Sequence, residues 1–361
     1  MRIGLLAFSS NTGLGYQTWD FAKNIECEKI LIADLSKLNH MPVHHERYEE
    51  LTEDLRVSDG IPNFSDIDWL TEDVDMVFLC ETPLNWELFN IARKKGVKTV
   101  MQFNYEFLNY FRDINLPKPD VLASPSYWEI DRVKDLGIAR VEYLPVPIDI
   151  NKIPNNNHKE LKVITHVMGR PAMHDRNGTE LFLKAIRQIG KVYQYQLFIQ
   201  TPKEAVSEDV YESVKPLLDN VAKELGDNLQ ITYDAEGVQD LYKDGSLMIL
   251  PRKYGGLCLP LWEALSAGMP VIMPDISPNN KVLPEEWLIN GFKCGEIQTH
   301  SPIPMYNSSV VDIISRVQYI KDNYKQETKR ARQLAEDMSW EAQKPNYMSL
   351  FEEICQQKDQ R

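Results

Sequence analysis

The stretch Met248 to Asp275, MILPRKYGGLCLPLWEALSAGMPVIMPD, gathers two cations, Arg252 and Lys253, a glycine pair, Gly255-Gly256, and a carboxylate, Glu263. Those residue types in that order suit an anion. The glycines let backbone N–H groups turn toward a phosphate with no Cβ in the way, and a helix starting just beyond them directs the positive end of its dipole at the same spot. The apolar runs on either side predict strand, loop, helix, strand, a βαβ unit with its helix over Leu259–Ala267. Glu263 then lies about one turn into the helix, where its carboxylate reaches past the loop toward ribose hydroxyls. Read alone, the glycine pair is also an ordinary turn and Glu263 a solvated helix residue.

Three further clusters sit where chemistry is expected. The segment His166-Val-Met-Gly169-Arg170-Pro-Ala-Met-His174-Asp175-Arg176-Asn177-Gly178 follows a strand and opens a helix, so Arg170 and Arg176 lie at the carboxyl edge of a sheet, as phosphate contacts or as ordinary ion pairs. His174 reads as a surface histidine or one acting through another group. Gly13 and Gly15 join the first strand to the first helix, as a ligand-approach loop or a tight turn. Glu81 and Glu106 follow buried strands beside Asn85 and Asn104, where either carboxylate is placed to orient or deprotonate a hydroxyl, or to cap backbone.

The segment Gly256 to Asp275 resembles the donor-binding block of GT-B fold, retaining nucleotide-sugar glycosyltransferases (the family 4-like, group 1 transferases), which reads roughly E-G-F-G-L-x-x-x-E-A-x-A-x-G-x-P-V-I. Glu263-Ala264, Gly268, Pro270-Val271-Ile272 and Asp275 fall in register, while the first glutamate of the block falls on Gly255. The usual hexose hydroxyl contact is therefore missing. The same family has a strand, Gly-Arg, loop, Lys-Gly, helix element: Gly169-Arg170 and Gly178 match, Asn177 takes the lysine's place and Arg176 stands beside it. Arginine offers phosphate a bidentate fork where lysine offers a point charge.

The resemblance implies two Rossmann-like α/β domains facing a cleft, with a final helix crossing back to the first. It implies transfer of a hexose or pentose from a nucleotide-diphosphate sugar, such as a UDP-sugar, to an acceptor hydroxyl with retention. Arg170, Arg176, Arg252, Lys253 and the Gly255, Gly256 and Leu257 backbone would hold the diphosphate, Glu263 the ribose, and Gly13 and Gly15 the donor phosphate or the acceptor. A histidine common near Asn104 in the family is absent. No cofactor beyond the nucleotide sugar is implied. No HExxH, paired Cys/His or Asp-x-Asp pattern is present, so a metal-independent reaction is expected. Rival readings are an inverting transferase using Glu81 or Glu106 as base, a nucleotide-sugar epimerase, and a non-catalytic nucleotide-sugar binder. The acceptor is open among carbohydrate, metabolite, lipid-linked sugar, protein and a hydroxymethylated DNA base.

The elements that must position these residues follow from the apolar pattern. Short continuous apolar runs alternating with helical periodicity predict parallel strands with crossover helices. First-half strands are expected at Ile3–Phe8, Lys29–Ala33, Met76–Leu79, Thr99–Phe103 and Val121–Ser124, with helices at Tyr16–Asn24, Asn85–Lys95 and Trp128–Leu136. Second-half strands are expected at Lys162–Val167, Gln196–Ile199, Gln230–Tyr233, Leu247–Leu250 and Pro270–Met273, with helices at Gly178–Ile189, Ser207–Glu224, Gln239–Tyr242 and Leu259–Ala267. The tail from Val310 to Cys355 is helical with a break near Ser339. Proline-punctuated Tyr143–Asp149 and polar 151–159 mark a boundary, giving an acceptor domain at 1–150, a donor domain at 151–335 and a terminal helix at 336–361.

A chain of 361 residues is long enough for two cores. Its net charge of −13 excludes affinity built on a large basic surface. Residues 1–150 hold 15 Lys/Arg against 25 Asp/Glu, which counts against a DNA acceptor in that half. Five scattered cysteines predict reduced thiols, and with no signal-like or membrane-spanning run a cytoplasmic protein is expected.

Overall fold

Strands of consecutive buried apolar residues, such as IGLLA and MVFLC, need cover on both faces, and parallel sheets with crossover helices supply it. The computed structural model describes residues 1–40, 42–107, 115–169, 175–199, 208–235 and 237–357. Two units result: Met1–Pro147 with Thr299–Ser301 and Trp340–Arg361, and Ile148–Gln298 with Pro302–Ser339.

The first unit has strands β1 (Ile3–Ala7), β2 (Lys29–Asp34), β3 (Asp54–Asp59), β4 (Met76–Cys80), β5 (Lys98–Gln102), β6 (Val121–Ser124) and β7 (Arg140–Tyr143). They form one parallel sheet in the order β3-β2-β1-β4-β5-β6-β7. Helices α1 (Gly13–Asn24), α2 (Ser36–Asn39), α3 (Phe64–Leu70), α4 (Glu87–Lys94) and α5 (Ile130–Asp135) connect them. The second unit has β8 (Val163–Gly169), β9 (Gln194–Ile199), β10 (Leu229–Tyr233), β11 (Leu247–Ile249), β12 (Val271–Pro274) and β13 (Leu288–Ile289), parallel in the order β10-β9-β8-β11-β12-β13. Its helices are α6 (Thr179–Ile189), α7 (Glu208–Leu225), α8 (Leu259–Ser266), α9 (Val310–Asp322) and α10 (Tyr324–Asp337). In each sheet the chain builds outward on one side of its first strand and then returns to the other. Such a reversal is where open α/β sheets bind ligands, at the carboxyl ends of the strands. The switch points are β1/β4 and β8/β11.

The last helix, α11 (Trp340–Gln356), belongs to the first unit. Its Tyr347 and Phe351 are fully buried with Phe21 and Phe78, which stack at 4.2 Å. Burial of Phe351 alone contributes about 1.5–3 kcal/mol. A polar network pins the same face: Gln102 Nε2 donates to Tyr347 Oη (2.9 Å) and Leu144 O (2.8 Å), Tyr347 Oη donates to Pro145 O (2.8 Å), and Gln17 Nε2 donates to Gln102 Oε1 (2.6 Å). The main breaks between the units fall at Pro147/Ile148 and Ser339/Trp340.

Several elements lie outside the expected set, the short α2 and β13 among them. β3 and β7 are edge strands with mixed burial, and α3 is a short helix whose Asn63/Asp66 capping box was readable in the sequence. An antiparallel hairpin, β14 (Gly291–Gln298) with β15 (Pro302–Ser308), interrupts the parallel pattern. No helix among the described residues is long and apolar enough to cross a membrane.

Candidate functional site

In the second unit, the switch point brings together the loop after β8 and the loop after β11. Gly178 makes this possible: at φ +76° it lies so close to β11's exit that a Cβ there would meet Pro251 O at 2.3 Å. The two loops are then laced by backbone, with Lys253 N–H donating to Arg176 O at 2.8 Å. From β15, Tyr306 N–H donates to Lys253 O at 2.8 Å. Lys253 is thus held by its main chain on both sides.

The cations expected at a diphosphate divide into two kinds. Arg252 is buried, its Nε donating to Tyr254 O at 3.0 Å and its Nη2 to Gly255 O at 3.4 Å. Arg176 donates from Nη2 to Gly255 O at 2.6 Å, and its guanidinium lies 4.5 Å from the Tyr254 ring centre. Both arginines therefore brace the Tyr254-Gly255 turn rather than project from it. Lys253 differs: its Nζ stands 4.0 Å from Asp175 Oδ2, with the side chain about a quarter exposed. Arg170 and His174 lie outside the described residues.

The two helix N-termini at this edge are not equivalent. At α6, the N–H groups of Thr179 and Glu180 already donate to the Asp175 carboxylate at 2.7 and 2.8 Å. The chain's own anion fills that cradle at the helix end. At α8, the N-cap is Cys258 with no side-chain cap, no acid lies in the first turn, and Pro260 sits at the start, where a missing N–H costs nothing. Gly256 precedes it at φ +100°, a conformation for glycine. An anion at this turn meets the positive end of the α8 dipole.

Glu263, in the second turn of α8, accepts from Tyr242 Oη at 2.6 Å on Oε2. Burial pushes its carboxyl upward in pKa, while the Tyr242 hydrogen bond and nearby Lys152 pull the other way. Tyr242 is itself held by its carbonyl, which accepts from Asn156 Nδ2 at 2.5 Å. Sequence reasoning missed Asp175 and Tyr242. The first was readable as an acid just ahead of a helix; the second had no local signal, because its partner lies on another element.

His166 forms the floor beneath these loops. Its Nδ1 pairs with Ile249 O at 2.8 Å, its Nε2 with Thr179 Oγ1 at 2.9 Å, and its ring stacks on Phe182 at 4.6 Å. Burial drives its pKa down from 6.5 to about 4, against the Ile249 carbonyl and Asp175. The neutral ring is the folded form, so its contribution to stability is complete above pH 6.5 and is lost as pH falls toward 4. The expected loss across that window is on the order of 3 kcal/mol. Urea titrations between pH 7 and 4 should show it, and His166→Gln should flatten the profile; an equally steep profile in the variant would assign the acid loss elsewhere.

In the first unit, the β1/β4 switch point carries the other predicted residues. Gly13 is the exposed first residue of α1, capped by Thr12, whose side chain accepts from Gly15 N–H. Gly15 is buried against Ser10, whose carbonyl oxygen would stand 2.0 Å from an added Cβ, so its need for glycine is steric. Glu81 leaves β4 at φ +65°, a left-handed geometry that a carboxylate side chain adopts only when its surroundings enforce it. Asn104 Nδ2 donates to Glu81 Oε1 at 2.8 Å, and burial, reinforced by the charge of Glu106, raises the Glu81 pKa. Glu106 lies in the short 3-10 turn Tyr105–Phe107, half-buried. The structure thus joins Glu81, Asn104 and Glu106 in one electrostatic group. Among the described residues no group of three or more His, Cys, Asp or Glu is placed to hold a metal ion.

Comparison with known proteins bears on this architecture. The sequence profile of the family described as glycosyl transferases group 1 matches residues 163–296. Among solved structures, sucrose-phosphate synthase from Thermosynechococcus elongatus is similar over 98% of this chain and 98% of its own, with a TM-score of 0.68 at 14% identity. HepE from Anabaena in complex with UDP and glucose is similar over 98% of this chain and 100% of its own, with a TM-score of 0.69 at 12% identity. A glycosyltransferase from Rickettsia africae matches over 99% and 100%, with a TM-score of 0.69 at 11% identity. A sequence search of curated proteins gives no match. The structural likeness is one of fold, and the profile match covers residues 163–296 alone.

Proposed function

We propose that this chain, a glycosyltransferase of the GT-B fold carrying a group 1 domain over residues 163–296, moves a sugar from a nucleoside diphosphate sugar to an acceptor hydroxyl. UDP is the nucleotide proposed, because HepE was solved with UDP and with UDP-glucose. The observation that carries the reading is the switch-point turn of the second unit: Lys253 held by its main chain beside Gly256 and an α8 N-terminus with no side-chain cap. The bond between the anomeric carbon and the diphosphate oxygen breaks with its electron pair going to the diphosphate. Lys253 and the Gly256 and Leu257 N–H groups meet the charge that grows there. Glu263, steadied by Tyr242, accepts from the ribose hydroxyls, while Arg176 and Arg252 keep the turn in shape. On this reading the acceptor proton passes to a phosphate oxygen, configuration is retained, and the protein's own cations serve in place of a divalent metal. The reaction is placed in the cytoplasm, a proposal resting on five scattered cysteines, all of them unpaired thiols in the structure.

One observation favours a second reading. Glu81, strained in backbone, hydrogen-bonded by Asn104 and raised in pKa, has the features of a general base, and a base in that place would invert configuration. Product analysis decides between them. UDP-sugars offered with candidate acceptors should give an added hexose or pentose by mass, with the donor's anomeric configuration, also with chelator present. Glu81→Gln should then keep the rate within about tenfold, since a general base contributes roughly 10²–10⁴. A larger fall with an inverted anomer would establish Glu81 as base. Conversion of donor with no acceptor would indicate an epimerase, and donor binding with neither transfer nor hydrolysis a non-catalytic binder.

A further inference from the structure

The amino edge of the second unit's sheet, opposite the strand ends just described, carries a pocket of about 160 Å³. One wall is the loop 155–158; another is Lys325, Thr328 and Lys329 of α10. No carboxylate among the described residues lines it. Lys325 and Lys329 stand one helical turn apart, so their charges share a face and repel. Other cations of α10 are matched, Arg330 by Glu286 and Arg332 by Glu336, but among the described residues neither lysine has a carboxylate partner. His158 also lines the pocket, and among the described residues its buried Nε2 atom has no hydrogen-bond partner. A buried ring nitrogen without a partner is a group awaiting one.

The loop is fixed in place by its own bonds. Gly268 approaches Asn155 so closely that a Cβ there would stand 2.6 Å from Asn155 Oδ1, which accepts from Asn157 N–H at 3.2 Å. Asn156 N–H donates to Ala267 O at 3.0 Å, and its Nδ2 donates to Tyr242 O and to Gly245 O at 2.5 and 2.8 Å. The pocket is therefore built before any ligand arrives. At about 30 Å³ per water, its volume admits a phosphoryl group with solvent around it.

We propose that this pocket binds a phosphoryl group, as inorganic phosphate or as the phosphate of a small metabolite, at a site separate from the donor turn. Lys325 and Lys329 supply the charge, and His158 a hydrogen bond. Through Asn156 and Tyr242 the occupied loop also abuts the support of Glu263, a link that rests on the donor-site reading; the binding itself does not.

Calorimetric titration of the full chain at constant ionic strength tests this, with inorganic phosphate and glucose 6-phosphate as probes and chloride as the balancing anion. Phosphate should bind, and the Lys325→Ala/Lys329→Ala double variant should weaken it about tenfold or more, as loss of charge-assisted bonds does. Saturating UDP and the Lys253→Ala variant should leave phosphate affinity within about twofold, sites without shared partners being nearly additive. Equal affinity for both probes marks inorganic phosphate as the ligand class, and tighter glucose 6-phosphate marks a sugar phosphate. The proposal fails if the wild-type chain gives no binding, or if binding survives in the double variant. It also fails if UDP or Lys253→Ala abolishes phosphate binding, which would place the anion at the donor turn. Failure of the donor reading alone would appear as absent UDP binding with phosphate binding intact.

Discussion

Lys253→Ala is expected to lower kcat for sugar transfer by about 10²–10³, the usual consequence of removing one donor aimed at charge that develops in the transition state. The expectation follows from how the site divides its cations. Arg252 and Arg176 are committed to the carbonyls of Tyr254 and Gly255, whereas among the described residues Lys253 has only a 4.0 Å pairing with Asp175. A charge held that loosely closes on a departing diphosphate at small cost. The ground-state diphosphate is already anionic, so some donor affinity is lost as well, but the larger part of the effect should fall on kcat. Arg176→Ala provides the contrast. Without the guanidinium the Gly255 carbonyl loses its 2.6 Å partner and the turn loosens, so KM for the donor should rise more than kcat falls. Initial rates against donor concentration for both variants separate the two. A Lys253→Ala variant with unchanged kcat would show that Lys253 does not meet the leaving group.

Lys253 and its glycines were legible because their signal is local: cations, Gly255-Gly256 and a helix follow one another along the chain. The central strands were legible for a similar reason, since β1, β2 and β4 are unbroken apolar runs that a parallel sheet buries on both faces. Edge strand β3, DLRVSD, and hairpin strand β14, GFKCGEIQ, were not, because an edge or a hairpin exposes much of its surface and needs no apolar run. The site followed the same rule. Asp175 as the occupant of the α6 N-terminus depends on a loop that turns back on its own helix, and Tyr242 as the partner of Glu263 joins residues on separate elements. The roles of Arg176 and Arg252 also depended on geometry. Composition places their charges near a phosphate, but only the fold turns their guanidinium groups onto the loop's carbonyls.

Gly178→Ala should be the most destabilising small substitution at this site. Two costs combine. An L-residue at φ +76° pays about 1–2 kcal/mol for the left-handed backbone. Its methyl would also stand 2.3 Å from Pro251 O and 2.9 Å from the Pro251 ring, atoms that leave β11 and lead directly into Arg252 and Lys253. Relief requires backbone to move, and overpacking of that kind costs about 1–3 kcal/mol. Gly96→Ala separates the terms, because Gly96 has nearly the same φ, +72°, closes α4 with Val97 N–H donating to Ala92 O at 2.9 Å, and has no described atom within 4 Å of an added Cβ. Gly96→Ala should therefore cost only the backbone term, with Gly178→Ala lowering stability by roughly a further 1–3 kcal/mol. Calorimetric unfolding should show the order wild type, Gly96→Ala, Gly178→Ala. The clash acts on the main chain that presents Lys253, so Gly178→Ala should also weaken donor binding at temperatures where it is fully folded, while Gly96→Ala should not. Equal melting temperatures for the two variants would mean that the loops after β8 and β11 are not packed as closely as the structure shows, and the coupling between them would fall with that result.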